Sequence, residues 1–575
     1  MHEAWLVADV FVEILNHITY NHSQPTLASL AVTCRAFREP ALDKLWRALR
    51  SICPILHLLH ETLRRECGNS GGLSEAEITR VQSAMLKYTS RVHSIRLAPV
   101  SNFRPPYLSN IPTLFPMLRE LDWIIGGLPT STAQPLLGQV ISTLRKLRLW
   151  GSEDLIPSDM SFISSLPDLC PDITVLEISC TWGPAWGNGM DVDPSGAVSD
   201  AFSSAIERWQ NLSEVSLNIP NLEPRTLQHL AGLPSLRVLD LHVPPHSSLN
   251  EAFPDLRPRP KPLGLERPLP PPFSGLQRLA MYGGMDEFPY GMHAFINVDV
   301  FLNHLRKLKF SPRCVNLLVK FEEADLPAIL EVTASSTNLS ELQEFCLRPW
   351  YRREEPRAGF DKIRSMLGWY NLTKVKLGIS IAMNDSELGE IAMAWPLLEE
   401  LHFAAKPAES PLLPTWIGFV DLIRRCRKLE SVGLPVDTTL GAETILEEID
   451  NEGRCKDQEL MNSHLDFINF LGSKIHDADM VARILRALFP MLNWRDSSIF
   501  TRSQVPFRHL KRFIFPHLSG HDAAALVVVT LLVSGDLSVC IAPIGDEIGR
   551  HYRKALTDWL CLFQATKLAF GIKHP

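Results

Sequence analysis

Three small groups of residues have types and spacings that chemistry could use. Gly68 to Gly72, GNSGG, fits Gly-x-Ser-x-Gly, the turn that exposes a serine nucleophile between a strand and a helix. His57 and His60 lie three apart, and His517 and His521 lie four apart. Either spacing puts two imidazoles on one helical face, where they can share a metal, and His509 and Asp522 stand near the second pair to complete it. Each group fails on context. The residues before Ser70, LLHETLRREC, read as helix, and no His or Asp motif accompanies the serine. Neither histidine pair carries the glutamate of His-Glu-x-x-His, no phosphate loop of the G-x-x-x-x-G-K type occurs, and the GNGM at Gly187 lacks a third glycine. The sequence predicts a non-catalytic protein with no cofactor and no metal.

Composition narrows the class further. A chain of 575 residues is long for one compact core and predicts several units or an elongated array. Hydrophobic residues make up 45% and charged residues 21%, as in an ordinary folded soluble protein. The formal charge of -7 argues against a nucleic-acid binder, which is usually basic. The 11 cysteines are scattered without a Cys-x-x-Cys pair. That usage predicts reduced thiols in the cytoplasm or nucleus. The start, MHEAWLVADVFVEILNHI, has no basic leader. The most apolar run, Ala523 to Val533, is too short to cross a bilayer. No membrane partner is expected.

What organises the chain is a repeat. The pattern apolar-x-x-apolar-x-apolar appears as VHSIRL at 92, LRELDW at 118, LRKLRL at 144, ITVLEI at 173, LSEVSL at 212, LRVLDL at 236 and LQRLAM at 276. It continues as LRKLKF at 305, LQEFCL at 342, LTKVKL at 372, LEELHF at 398, LESVGL at 429 and LKRFIF at 510, with a degenerate copy, HLDFINF, at 464. Copies recur about every thirty residues, the upper edge of a leucine-rich-repeat period. The alternating end of each copy is a strand with one buried face. Helical stretches lie between, as in SDAFSSAIERW from Ser199, DSELGEIAMAW from Asp385 and TWIGFVDLIRRC from Thr415. Pro116, Pro234 and Pro396 stand just before their strands, where proline ends a helix. A single strand-plus-helix unit cannot bury its apolar face, but a stack of them makes a continuous core. A doubly wound sheet also alternates strand and helix, yet so many similar strands at one period favour a solenoid. The chain resembles leucine-rich-repeat proteins, with one departure. The Asn or Cys expected after the last apolar position is absent, with Ser152 and Pro244 in its place at two repeats. Irregular curvature and helical outer segments are the expectation.

The N-terminus reads differently. Val10, Ile14, Leu15 and Ile18 share one helical face; after the loop NHSQPT, Leu27, Leu30, Ala31 and Cys34 share a second; Phe37, Leu42, Leu45 and Trp46 mark a third helix. So short a helical piece buries too little surface to stand alone. ADVFVEILNHI followed by LASLAVTCRAFREPALDKLW resembles the F-box of fungal proteins with irregular leucine-rich repeats, most specifically at Cys34-Arg35-x-Phe37, Pro40 and Trp46. The usual Leu-Pro before the acidic residue is Val7-Ala8 here. The resemblance implies an α/β fold: a three-helix F-box over 1–50, a helical linker over 51–90, an irregular leucine-rich-repeat solenoid over 91–520, and a cap or tail over 521–575. The ten prolines between Pro244 and Pro272 make that stretch an extended loop within the solenoid. It also implies a role, substrate recognition in an SCF-type cullin-RING ubiquitin ligase. The F-box would dock on a Skp-type adaptor, which bridges to a cullin, through Val10, Ile14, Leu15, Leu27, Leu30, Ala31, Cys34, Phe37, Leu45 and Trp46. A leucine-rich-repeat scaffold with no ligase link is the alternative, and a terminal helical cap is the alternative for the helices themselves.

The repeat strands place every second side chain on an open face. In the same register the strands from 118 to 236 carry an acidic excess, and those from 276 to 372 a basic one, with Arg278, Lys307, Lys309, Arg348, Lys374 and Lys376. Solvated strand faces are often charged. The expectation is nevertheless that these six bind an acidic or phosphorylated protein substrate, with Tyr282 and Trp350 beside them, and that the loop around Trp182 and Trp186 is the other candidate surface.

Overall fold

The computed structural model describes residues 15, 23–55, 57–58, 75–97, 115–125, 143–151, 157–180, 194–219, 222–242, 273–283, 298, 301–302, 305, 312–349, 357–404, 412–452, 464–470, 473 and 477–489. The chain divides into two units, 1–505 and 506–575, and every described residue lies in the first. Ser70, His60, the histidines from 509 to 521, the loop at 244–272, the Trp182–Trp186 loop, Trp350 and the repeat copy at 510 lie outside the described residues.

Strands come first because they set the frame. Fourteen form one sheet in strict sequence order: β1 (Ala48–Leu49), β2 (Ser94–Leu97), β3 (Glu120–Ile125), β4 (Lys146–Gly151), β5 (Val175–Cys180), β6 (Glu214–Asn218), β7 (Val238–His242), β8 (Arg278–Gly283), β9 (Cys314–Val319), β10 (Glu344–Pro349), and then, after β11 (Arg357–Gly359), β12 (Lys374–Leu377). Beyond β13 (Ser380–Ala382) the sheet ends with β14 (Glu400–Phe403), β15 (Ser431–Gly433) and β16 (Phe467–Asn469); β11 and β13 pair separately. Every pairing is parallel. A doubly wound sheet reverses its strand order at a switch point. This sheet never does, so the fold is an α/β solenoid of irregular leucine-rich repeats.

Register explains the sequence pattern. Ile95, Leu121, Leu147, Leu176, Val215, Leu239, Leu279, Val315, Phe345, Val375, Leu401, Val432 and Ile468 are direct partners from strand to strand, and all are buried. They are the middle apolar position of the motif. Below them the residue before each strand offers one carbonyl to two successive N–H groups of the next repeat. The His93 carbonyl takes Arg119 N at 2.8 Å and Glu120 N at 2.9 Å, and the step recurs through Arg119, Arg145, Thr174, Ser213, Arg237, Gln277, Arg313, Gln343, Thr373, Glu399 and Glu430.

Helices stand before, between and after the strands. They are α1 (Ser23–Thr33), α2 (Arg35–Arg47), α3 (Glu75–Thr89), α4 (Pro157–Leu169), α5 (Pro194–Ile206), α6 (Pro224–Gly232), α7 (Leu326–Ser336), α8 (Asp385–Ala394), α9 (Trp416–Arg425), α10 (Ala442–Glu452) and α11 (Ala478–Leu488). Those from α3 on send buried residues such as Met85, Ile163, Phe202, Leu230, Ile329, Ile391, Phe419 and Ile484 into one core with the strands. Between β10 and β12 two short 3-10 runs, Phe360–Lys362 and Arg364–Gly368, do the same work with Phe360 and Met366. Adjacent repeats also lock at their helix starts. Asp385 at the head of α8 accepts from Thr415 N at 2.6 Å and Thr415 Oγ1 at 2.7 Å. That close approach is why Gly418 has no side chain, since a Cβ there would strike Asp385.

Two expectations change. Of LRKLKF at 305 only Leu305 is described, and it is helical; the strand of that repeat is β9, CVNLLV, after Pro312. Arg313 and Cys314 occupy the paired N–H step, so the backbone pattern as well as burial selects this register. Nor are the N-terminal helices separate from the sheet. Helix α2 ends at Arg47 and the chain enters β1 at once, so the first strand falls inside the segment expected to be all helix.

Trp46 holds this junction. Its ring lies 5.1 Å from that of Tyr88 on α3, and it packs against the main core. Arg91 ties the same helix from the other side through the Glu39 and Asp43 carboxylates. Trp46→Ala should release α1 and α2 from the solenoid at a cost of about 2 kcal/mol. Hydrogen exchange is the check: amides of α1 and α2 should exchange about thirtyfold faster, with those of β4 to β14 unchanged.

Candidate functional site

The open face of the sheet is built from the alternate residues that the core does not take. Two rows run across it. One passes through Ser94, Glu120, Lys146, Glu214, Arg278, Cys314, Glu344, Lys374 and Glu400; the other passes through Arg96, Asp122, Arg148, Glu177, Asp240, Asn316, Cys346, Lys376 and His402. Opposite charges stand on neighbouring strands and pair. Arg96 lies 3.7 Å from Asp122, Arg148 2.8 Å from Glu177, and Arg278 3.2 Å from Asp240. Lys374 bridges Glu344 at 3.6 Å and Glu400 at 3.3 Å, and Lys376 also holds Glu400. Burial pushes the Glu400 carboxyl up, but Lys376 and Lys374 overcome it and hold it below the usual carboxylate range.

This changes the expected cationic patch. Lys307 and Lys309 lie outside the described residues, and the strand of that repeat, β9, presents Cys314, Asn316 and Leu318. Arg278, Lys374 and Lys376 are neutralised by their neighbours. Arg348, exposed near the end of β10, has no carboxylate partner among the described residues. The physical reason is that like charges side by side across strands repel, whereas opposite charges stabilise the pairing.

A polar cluster across β7, β8 and β9 was not foreseen. Ala280, fully buried, stands between Asp240 and Asn316, and His242 stacks on Tyr282 with ring centroids 4.5 Å apart. Asp240 Oδ1, His242 Nδ1 and Asn316 Oδ1 are buried without a hydrogen-bond partner. Burial raises the Asp240 carboxyl, with Arg278 opposing, and pushes His242 down to about 4. The thiols of Cys314 and Cys346 are raised by the same cause. The sequence signal was a break in charge alternation, Asp-x-His opposite Ala-x-Tyr, which only the register brings together.

Of the N-terminal residues expected to touch an adaptor, four are turned inward. Leu15, Leu27 and Phe37 form a small core of their own, with Leu30, Cys34 and Leu45 packed against it, and Ala31 is buried. Trp46 belongs to the solenoid contact described above. Leu15, Leu27, Ala31 and Phe37 therefore offer no free surface in this structure, while Leu30, Cys34, Leu45 and Trp46 stay partly exposed; Val10 and Ile14 lie outside the described residues. What faces out on α1 is Pro25, Ala28 and Val32, three and four apart on one helical face, with Val32 77% exposed. Among the described residues no group of three His, Cys, Asp or Glu side chains is placed to hold a metal, and no helix is long and apolar enough to cross a membrane.

No family model matches the chain, and no curated protein matches it in sequence. Solved structures resemble it only distantly. One, from the crystal structure of the yeast Rad7 and Elc1 complex, is 12% identical over 76% of this chain and 87% of that one, with a TM-score of 0.28. Another, the leucine-rich repeat-containing protein LegL7 from Legionella pneumophila, is 11% identical over 71% of this chain and 95% of that one, with a TM-score of 0.28.

The cluster makes a pH signature. The pKa of His242 is lower in the folded chain than the ordinary 6.5, so its neutral ring contributes stability that is whole above pH 6.5 and is lost as pH falls towards 4. A displacement of that size is worth up to about 3 kcal/mol. His242→Phe keeps an aromatic ring on Tyr282 and removes the proton site. Denaturant unfolding at pH 6.5 and pH 4 should show a markedly smaller acid loss in the variant than in wild type.

Proposed function

We propose that this protein is a non-catalytic substrate-recognition subunit of an SCF-type cullin-RING ubiquitin ligase, working in the cytoplasm or nucleus. Helices α1 and α2 dock on a Skp-type adaptor that bridges to a cullin, and the open face of the solenoid holds the protein to be modified. The observation that carries the reading is a division of labour within one chain. A short helical segment closes its own core around Leu15, Leu27 and Phe37 and still leaves Pro25, Ala28 and Val32 outward, while the alternate residues of the strands beside it stand on the face away from the described helices. The F-box-like residues Cys34, Arg35, Phe37, Pro40 and Trp46 support the same reading. In it, Cys34, Phe37 and Trp46 shape the helices, and the apolar stripe on α1 makes the contact.

Burying a valine-sized side chain at an interface is worth roughly 1.5–3 kcal/mol. Val32→Asp should therefore cut co-purification of a Skp-type adaptor by at least about tenfold, with the thermal midpoint near that of wild type. Phe37→Asp should instead unfold α1 and α2. Full adaptor recovery with a folded Val32→Asp protein would remove α1 as the docking surface. If wild-type protein recovers no adaptor, a leucine-rich-repeat scaffold without a ligase role takes this reading's place.

A further inference from the structure

Where the N-terminal helices meet the first strands, the molecule has a cavity of about 540 Å³. Helices α1 and α2 supply Gln24, Leu27, Lys44, Leu45 and Arg47; residues in or next to β1 to β4 supply the rest, including Arg50, His93, Ser94, Arg119 and Arg148. Five lining side chains are Lys or Arg, and Glu120 is the one acid among them. The size is that of a small-ligand site.

The cations are not equivalent. Arg148 is held by Glu177 at 2.8 Å. Arg47 and Arg119 have no carboxylate partner among the described residues, although both backbones are engaged: the Arg47 carbonyl accepts from His93 N, and Arg119 N donates to the His93 carbonyl. His93 stands between them, and its Nδ1–H donates to the Arg91 carbonyl at 2.8 Å, which fixes the ring. Two guanidiniums, each able to give two parallel N–H bonds, match the charge and the oxygens of one phosphate monoester dianion. The Ser94 hydroxyl lines the same cavity. A longer polyanion fits less well, because Glu120 stands in the lining itself and Glu214 on β6 lies across the sheet beyond it.

We propose that this cavity is a receptor for a single phosphate monoester, gripped by Arg47 and Arg119, and that the group is carried on a phosphorylated serine or threonine of a partner protein. The site stands whether or not the chain works in a ligase. Under the ligase reading it makes the N-terminal end of the solenoid a place where phosphorylation selects the substrate.

The test uses the full-length protein and a set of short peptides carrying one phosphoserine each, with the same peptides carrying serine or glutamate as controls, read by fluorescence anisotropy. Phosphopeptides should bind at least about tenfold tighter than both controls, and binding should weaken steeply with added salt. Inorganic phosphate and a phosphorylated sugar, added as competitors, separate the sources. A peptide-borne group is supported if both compete only at much higher concentration than the peptide, and a metabolite site replaces it if the sugar phosphate binds as tightly. Arg47→Gln with Arg119→Gln should lose at least about tenfold in phosphopeptide affinity. Arg47→Lys with Arg119→Lys keeps the charge without the fork and should fall between. Arg313→Glu, an exposed arginine remote from the cavity in sequence, should leave binding unchanged. Equal binding of phosphoserine, glutamate and serine peptides, or full affinity in a folded double glutamine variant, overturns the proposal. Val32→Asp should bind phosphopeptide normally, so loss of adaptor docking and loss of phosphate binding are separate results.

Discussion

The structure depends on one hydrogen-bonding arrangement repeated without interruption. At the foot of each strand a single carbonyl accepts from two successive N–H groups of the next repeat, from His93 to Glu430. The geometry fixes the offset between repeats before any side chain is considered. Once it is fixed, the same apolar positions fall opposite one another and close into a core, and the residues between them stand on the open face. This backbone step is present although the side-chain position that regularises many such solenoids carries Ser152 at one repeat and Pro244 at another. It also tolerates repeats of unequal length, because the intervening chain can be a helix of any size or the 3-10 runs around Phe360 and Met366.

The open face follows from that frame. Parallel strands about 4.8 Å apart bring charges of successive repeats close together. Lys374 with Glu344 and Glu400, and Arg278 with Asp240, are the result. Such half-exposed pairs contribute little stability individually. Their larger effect is to leave the face nearly neutral where pairing is complete. Among the described residues, charge without an ion-pair partner or polarity without a hydrogen bond remains at Arg348, at the buried Asp240 Oδ1, His242 Nδ1 and Asn316 Oδ1, at Glu120, Lys146 and Glu214, and at the two guanidiniums of the N-terminal corner.

That corner is where the helical and repeat parts become one object. Trp46 and Arg91 fasten α2 to α3 and the first strands, and the same chain passes from Arg47 into β1. The junction creates the cavity, since neither the helices nor the sheet edge encloses it alone. Among the described residues it also leaves Pro25, Ala28 and Val32 of α1 outward, while Gln24 and Leu27 of the same helix line the cavity.

The sequence by itself determined the repeat architecture. Alternation of apolar residues at a near-constant period identified β2 to β8, β10, β12, β14 and β15, and even the degenerate copy that became β16, because a strand with one buried face must alternate. The helices from Asp385 and Thr415 were equally legible from apolar spacing and caps. Tertiary structure decided what periodicity leaves ambiguous. LRKLKF at 305 fits the motif better than the segment from Pro312, yet the backbone step through Arg313 and Cys314 selects β9, which presents Cys314 and Asn316 on the open face. Apolar residues on α1 and α2 announce a buried surface without saying whose. Packing assigns Leu27 and Phe37 to the chain's own core and leaves Val32 outside. The cavity joins Arg47 to Arg119, residues far apart in sequence, through hydrogen bonds to His93, and no local pattern encodes a meeting that the strand pairing alone brings about.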